Sequence, residues 1–427
     1  MIHCLYMKNL FIRALRFLAQ RQVAQFRPTI IAVTGSVGKT STKQAIAIAL
    51  SSTYTVRSSY KNYNNEFGVP FAILGEMSPG KNAWEWVKLF GRQWNVKTFP
   101  THLVLEYGAD RPGDIQASCT VAQPNIAVLT AISPVHAANY ANFGALVEEK
   151  ATLGDNVPKN GVVVLNADDQ TLHFMRDRFP APTETYGKSG KHAVIKDIYV
   201  KIDGFSIMTK AAIDIDGTVA NLQLQNCLGD SSVYACAAAL LVAKHCNVPV
   251  DKAAKALSES FTAAPGRLRP LAGIKGTLIL DDTYNAAPAS VIAALDALTV
   301  FTVNRSGDRR IVALGAMAEL GQYSEAEHAA VGRRVAEVVD VFVAVGSDMH
   351  GAAEEALRMG MKPTAIVRVS TAEEAGRWLD ANIHHGDIIL VKGSQSTRME
   401  KAVKDIMAEP LRAEELLVRQ EAYWLKA

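Results

Sequence analysis

Thr34-Gly35-Ser36-Val37-Gly38-Lys39-Thr40-Ser41-Thr42 is the stretch on which the reading of this chain turns. An apolar run, Thr29-Ile30-Ile31-Ala32-Val33, stands directly before it and has the composition of a buried parallel strand. Directly after it, Lys43 to Leu50 is rich in Ala and Ile and predicts a helix. Strand, glycine turn and helix start together make a phosphate cradle from Gly35, Ser36, Val37, Gly38, Lys39, Thr40 and Ser41. The glycines let the backbone curl so that several N–H groups point inward, and the helix N-terminus adds partial positive charge. Lys39 then reaches the outer phosphates, and the Thr40 hydroxyl is placed to sit on Mg²⁺. The spacing is a variant, because position 33, where the common pattern has its first glycine, is Val33. The expected ligand is a nucleoside triphosphate.

Composition narrows the class. A chain of 427 residues exceeds one ordinary core, so two or three domains are expected. Hydrophobic residues at 49% and charged residues at 20% are globular proportions. Lys and Arg number 45 against 42 Asp and Glu, a balance that implies no nucleic-acid partner. The five cysteines, Cys4, Cys119, Cys227, Cys236 and Cys246, form no C-x-x-C pair and suit reduced thiols in a cytoplasmic enzyme.

Three regions are expected. Residues 1–28 read as a basic amphipathic helix, with Leu10, Phe11, Ala14, Leu15, Phe17 and Leu18 among Lys8, Arg13, Arg16 and Arg21. Charges interrupt it too often for a membrane span, so it either packs on the protein's own body or a partner, or lies on an anionic membrane surface through residues 1–27. Residues 29–266 read as a central nucleotide-binding domain. It carries further strands at 103–105, 126–130 and 161–166, a β-rich stretch through Ile195 to Leu224, and a buried Ala-rich helix from Val233 to His245. After Pro265-Gly266, residues 267–427 read as a smaller α/β domain of Rossmann type, with strands at 277–280, 310–314, 341–345 and 387–391. The class is α/β with mostly parallel sheets covered by helices.

Candidate chemistry gathers at predicted strand ends, the edge where open α/β sheets bind ligands. Glu106 closes one strand, and His136 follows another in Thr130-Ala131-Ile132-Ser133-Pro134-Val135-His136. Carboxylate and neutral imidazole are both ligands for divalent metals. Lys150 lies in Val147-Glu148-Glu149-Lys150-Ala151, a sequence that by itself is also an ordinary charged helix face. Asp282 and Asn285 stand in Asp281-Asp282-Thr283-Tyr284-Asn285-Ala286-Ala287-Pro288, where a plain Asx turn is the simpler alternative. Lys392 and Ser394 follow the last strand and fit a simple strand-to-helix connection as well.

Taken together, TGSVGKTST, Asn64-Asn65-Glu66-Phe67-Gly68-Val69-Pro70, LEYGAD, the His136 segment, VLNADD, PGRL, DDTYNAAP, ALGAMAELG and VKGSQSTRME resemble the ordered motifs of the Mur ligases, over roughly residues 28 to 407. The nearest branch is the one that adds D-alanyl-D-alanine to a cell-wall precursor. The resemblance implies an ATP-dependent amide ligase. A substrate carboxylate attacks the γ-phosphate of ATP, and an amine then displaces phosphate from the acyl phosphate. It implies that Thr40 and Glu106 hold one Mg²⁺ and that His136 ligates a second. Lys150 matches a lysine that many family members carbamylate into an anionic metal ligand. Arg267 and Asp282 match contacts to ATP phosphate and ribose, with Asn285 in the same loop. Asn64 and Asn65 fall on the substrate side, and Lys392 and Ser394 match residues that close onto the site. A monomer acting on a small or peptide-precursor substrate is expected.

Three departures qualify the match. The family's adenine-side pattern G-x-H-N-x-x-N reads Gly229-Asp230-Ser231-Ser232-Val233-Tyr234-Ala235 here, without either asparagine. Ala316 replaces the usual Asp of L-G-D-M. Only about 28 residues precede the first strand, too few for the uridine-nucleotide domain of that branch. The uridine site is then absent, or supplied by another polypeptide, or unneeded because the acceptor is not UDP-linked. Two alternatives therefore stand beside the leading expectation. One is ligation onto another acid, as in folylpolyglutamate or cyanophycin synthesis; the other is a non-catalytic nucleotide-binding partner.

Overall fold

Twenty-five residues without a single acidic side chain, Ile2–Phe26, form one helix, α1. The computed structural model describes residues 2–59, 63–65, 67–80, 82–133, 139–203, 206–301, 308–318, 320–421 and 424. By internal packing the chain divides into two units. The first is Met1–Ile198 with Ala211–Leu222 and Ser231–Phe261; the second is Tyr199–Lys210 with Gln223–Asp230 and Thr262–Ala427.

In the first unit α1 leads to β1 (Thr29–Thr34), α2 (Lys39–Ser51), β2 (Val56–Ser58), α3 (Gly68–Leu74), α4 (Ala83–Trp94) and β3 (His102–Glu106). Then follow α5 (Asp114–Val121), β4 (Ile126–Leu129), α6 (Phe143–Asp155), β5 (Val162–Asn166), α7 (Gln170–His173) and β6 (Thr183–Gly187). Three longer strands, β7 (Ala193–Asp203), β8 (Ser206–Ile215) and β9 (Thr218–Gln225), whose residues 199–203, 206–210 and 223–225 count with the second unit, complete a nine-stranded sheet ordered β2-β3-β1-β4-β5-β6-β7-β8-β9. Pairing is parallel from β2 through β7. Helices α8 (Asp230–His245) and α9 (Val250–Ser260) follow.

The strands are apolar on both faces because both faces are covered. Ile30, Ala32, Leu103, Leu105, Ala127, Leu129, Val163 and Leu165 share one core with Leu15, Leu18 and Ala19 of α1, Phe71 of α3, Leu89 of α4, Ile115 of α5 and Ala151 of α6. One residue out of step, Ile31, Val33, Val104 and Val128 are buried on the opposite face, where α2 packs on β1 and β3. Of the two fates open to the N-terminal helix, packing on the protein's own body is therefore realised along one side of α1.

The second unit adds β10 (Arg269–Ala272), β11 (Leu278–Asp282), α10 (Pro288–Leu298), β12 (Arg310–Gly315), α11 (Ser324–Val338), β13 (Val341–Val345) and α12 (His350–Arg358). It ends with β14 (Ile366–Val369), α13 (Ala372–Asn382), β15 (Ile388–Lys392), α14 (Glu400–Ile406) and α15 (Ala413–Leu416). Its sheet runs β10-β11-β15-β12-β13-β14, with β10 antiparallel and the rest parallel. Strict alternation splits the core. Leu280, Val312, Leu314 and Leu390 join the side of α10, α11 and α12, whereas Ile279, Ile311, Ala313 and Ile389 face α13 and α14. The α/β class expected from the sequence holds in both units.

Candidate active site

The glycine loop sits where β1 is flanked by β3 on one side and β4 on the other, the point at which strand order reverses. Register places Glu106 beside Val33 and Leu129 beside Thr34, so the ends of three strands converge on the loop. Gly35 has φ 149°, and a Cβ there would stand 2.1 Å from Thr130 Oγ1 and 3.0 Å from the Ala131 carbonyl. Gly38 caps α2 at φ 86°, a left-handed conformation that side chains rarely adopt. The Thr130 hydroxyl donates to Val37 O at 2.6 Å, and the Ser36 hydroxyl donates to Ser133 O at 2.8 Å. Lys39 Nζ bonds Gly35 O at 2.7 Å and Ser36 O at 3.1 Å, across the mouth of the loop.

Glu106 is buried at the end of β3, and its carboxylate is the centre of the polar site. Thr40 Oγ1 donates to Oε2 at 3.1 Å, and Asn64 Nδ2 donates to Oε1 at 3.2 Å. Lys43 Nζ lies 3.5 Å from Oε2 and donates to Ser59 O at 2.9 Å. Asn65 does different work. Its side-chain oxygen accepts from Phe67 N at 3.2 Å and Gly68 N at 2.9 Å, fastening the entry to α3.

Lys150 and Glu149 leave the charged face that their sequence suggests. Glu149 accepts from Gly113 N at 2.7 Å and Ile115 N at 2.8 Å at the start of α5, while Glu148 stays outside and pairs with Arg178 at 2.8 Å. Lys150, 2% exposed, donates to Gly35 O at 3.1 Å. Burial, with the Lys39 charge second, lowers its amine to about 7, against the opposite pull of Asp110 and Glu149. A lysine near 7 is a neutral, nucleophilic amine for a substantial fraction of the time at neutral pH.

Among the described residues no three His, Cys, Asp or Glu side chains gather as a metal cluster. The Thr40 hydroxyl and the Glu106 carboxylate do fit a Mg²⁺ completed by phosphate and water, which takes only one or two protein oxygens. His136 lies outside the described residues.

In the second unit the PGRL and DDTYN motifs are bound to each other. Asp281 accepts from Gly266 N at 2.9 Å and from the Thr283 hydroxyl at 2.6 Å, and Asp282 accepts from Leu268 N at 3.0 Å. The Arg267 guanidinium lies 3.8 Å over the Tyr284 ring. Lys392, 2% exposed, pairs with Asp282 at 2.6 Å and donates to the Asn285 carbonyl at 2.9 Å. Burial lowers the Lys392 pKa while the Asp282 charge raises it. Ser394 accepts from Ala318 N at 2.7 Å and donates its own N–H to Ala316 O at 3.0 Å, so the backbone at Ala316 is held without the usual carboxylate. The structure thus gathers Gly35 to Ser41, Asn64, Glu106 and Lys150 in one unit, and Arg267, Asp282, Asn285, Lys392 and Ser394 in the other.

Several supporting residues have no signal in the sequence. Lys43 reads as an unremarked helix position and Thr130 as the last residue of a strand. Arg419 lies after the last recognised motif, yet it reaches the carbonyls of Thr283 and Tyr284, the latter at 3.0 Å, and pairs with Glu400 at 2.8 Å. On α8, where both adenine-side asparagines are missing, Tyr234 donates to Asp168 at 2.7 Å, and the backbone N–H groups of Lys188 and Ser189 bind the same carboxylate at 2.6 Å and 2.9 Å.

Comparison with known proteins follows the same division. The Mur ligase middle domain matches residues 33–243, and the Mur ligase, glutamate ligase domain matches residues 266–395. The UDP-N-acetylmuramoyl-tripeptide–D-alanyl-D-alanine ligase of Mycobacterium bovis is 30% identical over 397 residues, covering 89% of this chain and 73% of that enzyme. The enzyme of the same name in Bacillus subtilis is 27% identical over 416 residues, covering 96% and 82%. Among solved structures, the MurF ligase of Thermotoga maritima in complex with ADP aligns with a TM-score of 0.77 at 27% identity, covering 92% of this chain and 83% of that one.

Proposed function

The chain belongs to the Mur ligase family, and on that footing we propose that it is an ATP-dependent amide ligase, joining D-alanyl-D-alanine or a similar amine to the carboxylate of a cell-wall peptide precursor. One observation above all supports the reading. A buried lysine near 7, Lys150, lies against the backbone of Gly35, in the same glycine loop that leads into Thr40 and its bond to Glu106. Mere nucleotide binding gives such a lysine no task.

The proposed roles follow the geometry. Lys39 and the loop N–H groups neutralise the phosphates and hold the γ-phosphate for attack by a carboxylate oxygen. Thr40 and Glu106 hold Mg²⁺, which when bound supplies charge neutralisation at the transferred phosphate. Asn64 and Lys43 fix the Glu106 carboxylate from either oxygen. Lys150 in its neutral form adds its amine to CO₂ and loses a proton, giving a carbamate; that carbamate and His136 would be the ligands of a second Mg²⁺ and would supply it with negative charge. Arg267, Asp282 and Asn285 are the nucleotide-recognising residues that the family likeness assigns to the second unit, where Lys392 holds Asp282 and the Asn285 carbonyl, and Ser394 holds the backbone at Ala316 and Ala318. Asn64 and Asn65 border the acceptor side. The four described cysteines are buried and none is in a disulfide, as a reducing cytoplasm leaves them.

ADP release with purified protein tests the proposal, beginning with UDP-muramoyl-tripeptide and D-alanyl-D-alanine. Release that requires both acceptor and amine supports it. ATP binding without acceptor-dependent ADP under any pairing overturns it in favour of a binding role.

A further inference from the structure

Positive charge is spread unevenly along this chain. Residues 1–27 and 77–100 hold nine of its 45 Lys and Arg but one of its 42 Asp and Glu, leaving 36 against 41 elsewhere. The fold brings these two stretches together as α1 and α4. The Phe11 ring is 4.9 Å from that of Trp86 and 6.2 Å from that of Phe90. The Arg21 guanidinium lies 4.7 Å over the Trp94 ring and donates to the Trp94 carbonyl at 2.8 Å. Gln22 donates to the Gln93 side chain at 2.7 Å.

The outer side of this helix pair shows what a core would hide. Phe17 on α1, Trp84, Val87 and Trp94 on α4, and Met77 just before α4 are each more than half exposed. Trp84, Val87 and Trp94 share the outward stripe of their helix, and Arg13 shares the outward side of α1 with Phe17. The inward side of α1 is already committed to the core through Leu15, Leu18, Ala19 and Gln22, so the exposed residues need no rearrangement to be used.

We propose that α1 and α4 together form a lipid-docking face that seats the protein on an anionic membrane surface. Phe17, Trp84 and Trp94 enter the headgroup layer, and Arg13, Arg21 and Lys88 meet lipid phosphates. Indole rings favour the boundary between headgroups and acyl chains, having an apolar body and a polar N–H. Clustered Lys and Arg beside them are drawn to anionic leaflets. The contact is peripheral, because among the described residues no helix is long and apolar enough to cross a membrane. A second copy is a poorer occupant, since two such basic faces repel when brought together. The face is independent of the ligase chemistry.

Co-sedimentation of the full chain with vesicles of phosphatidylcholine, alone or mixed with phosphatidylglycerol, tests it. The wild type should bind the anionic vesicles at least about 10-fold more tightly and lose that preference at high salt. Brominated lipids should quench its tryptophan fluorescence. Arg13→Glu with Lys88→Glu should weaken binding to anionic vesicles on the order of 10-fold while leaving circular dichroism and ADP release in solution unchanged. Phe17→Ser with Trp84→Ser should reduce the quenching, and adding Trp94→Ser should abolish it. Equal binding to both vesicle types, or no lipid-dependent quenching of the wild type, overturns the proposal. Concentration-dependent dimerisation removed by the Phe17 and Trp84 changes would assign the face to a second copy and overturn it too.

Discussion

The side-chain nitrogen of Lys150 lies 3.1 Å from the carbonyl oxygen of Gly35, joining α6 to the phosphate loop across 115 positions of chain. Burial of that amine and the nearby Lys39 charge hold it at about 7. Lys150→Ala should therefore lower acceptor-dependent ADP release about 100-fold or more, with partial rescue by acetate or propionate if an anionic ligand is what is lost. The pH dependence has a fixed sign. Below about 7 the amine is an ammonium and cannot react with CO₂, so the carbamate signal from ¹³C-bicarbonate should fall as pH drops through 7 and be absent in the variant.

Gly35→Ala should damage the loop from two directions. The backbone at φ 149° is foreign to alanine, and the new Cβ would meet Thr130 Oγ1 at 2.1 Å. Isothermal calorimetry should show ATP binding weakened at least about 10-fold, with thermal stability lowered by about 1–3 kcal/mol. Thr130→Val, which loses the bond to Val37 O, should weaken binding less.

Lys392 and Asp282 form a buried pair at 2.6 Å, so removing one partner leaves a buried charge. Lys392→Met or Asp282→Asn alone should cost about 3–5 kcal/mol in urea unfolding. The double variant should cost much less than the sum of the two, with ATP affinity following the same pattern because Lys392 also holds the Asn285 carbonyl.

Asp281 supplies a second pH signature. Burial pushes its carboxyl up to about 6, against hydrogen bonds from Thr283 and Gly266 that pull it down. Because the folded value lies above the unfolded one, its stabilising contribution is complete below about pH 4 and is lost as pH rises through 6. In Asp281→Asn, the fall in melting temperature between pH 4 and pH 7 should be smaller than in the wild type, whatever the variant's absolute stability.

What the sequence discloses depends on distance along the chain. The cradle at Gly35 to Ser41 and the carboxylate of Glu106 are legible because strand, turn and helix are contiguous there. Lys150 is harder. V-E-E-K-A reads as a solvated helix face, and only packing of α6 against a loop more than a hundred residues earlier buries it. Thr130, which holds Val37 across 93 residues, has no local pattern at all. Lys392 follows a strand and so looks open to solvent, whereas neighbouring strands β11 and β15 bring Asp282 against it. The short edge strands β2, β10 and β14, of three or four residues, have too few positions for an alternation to register.

The central claim is that a substrate carboxylate, and not water, takes the γ-phosphate that the loop holds. Acceptor labelled with ¹⁸O in its reacting carboxylate decides it, by mass spectrometry of the inorganic phosphate formed with amine present. If the carboxylate oxygen bonds to phosphorus and the amine then breaks the carbon–oxygen bond, one ¹⁸O per turnover appears in phosphate and the other stays in the new amide. Phosphate free of ¹⁸O, with its new oxygen drawn from water, would contradict the account.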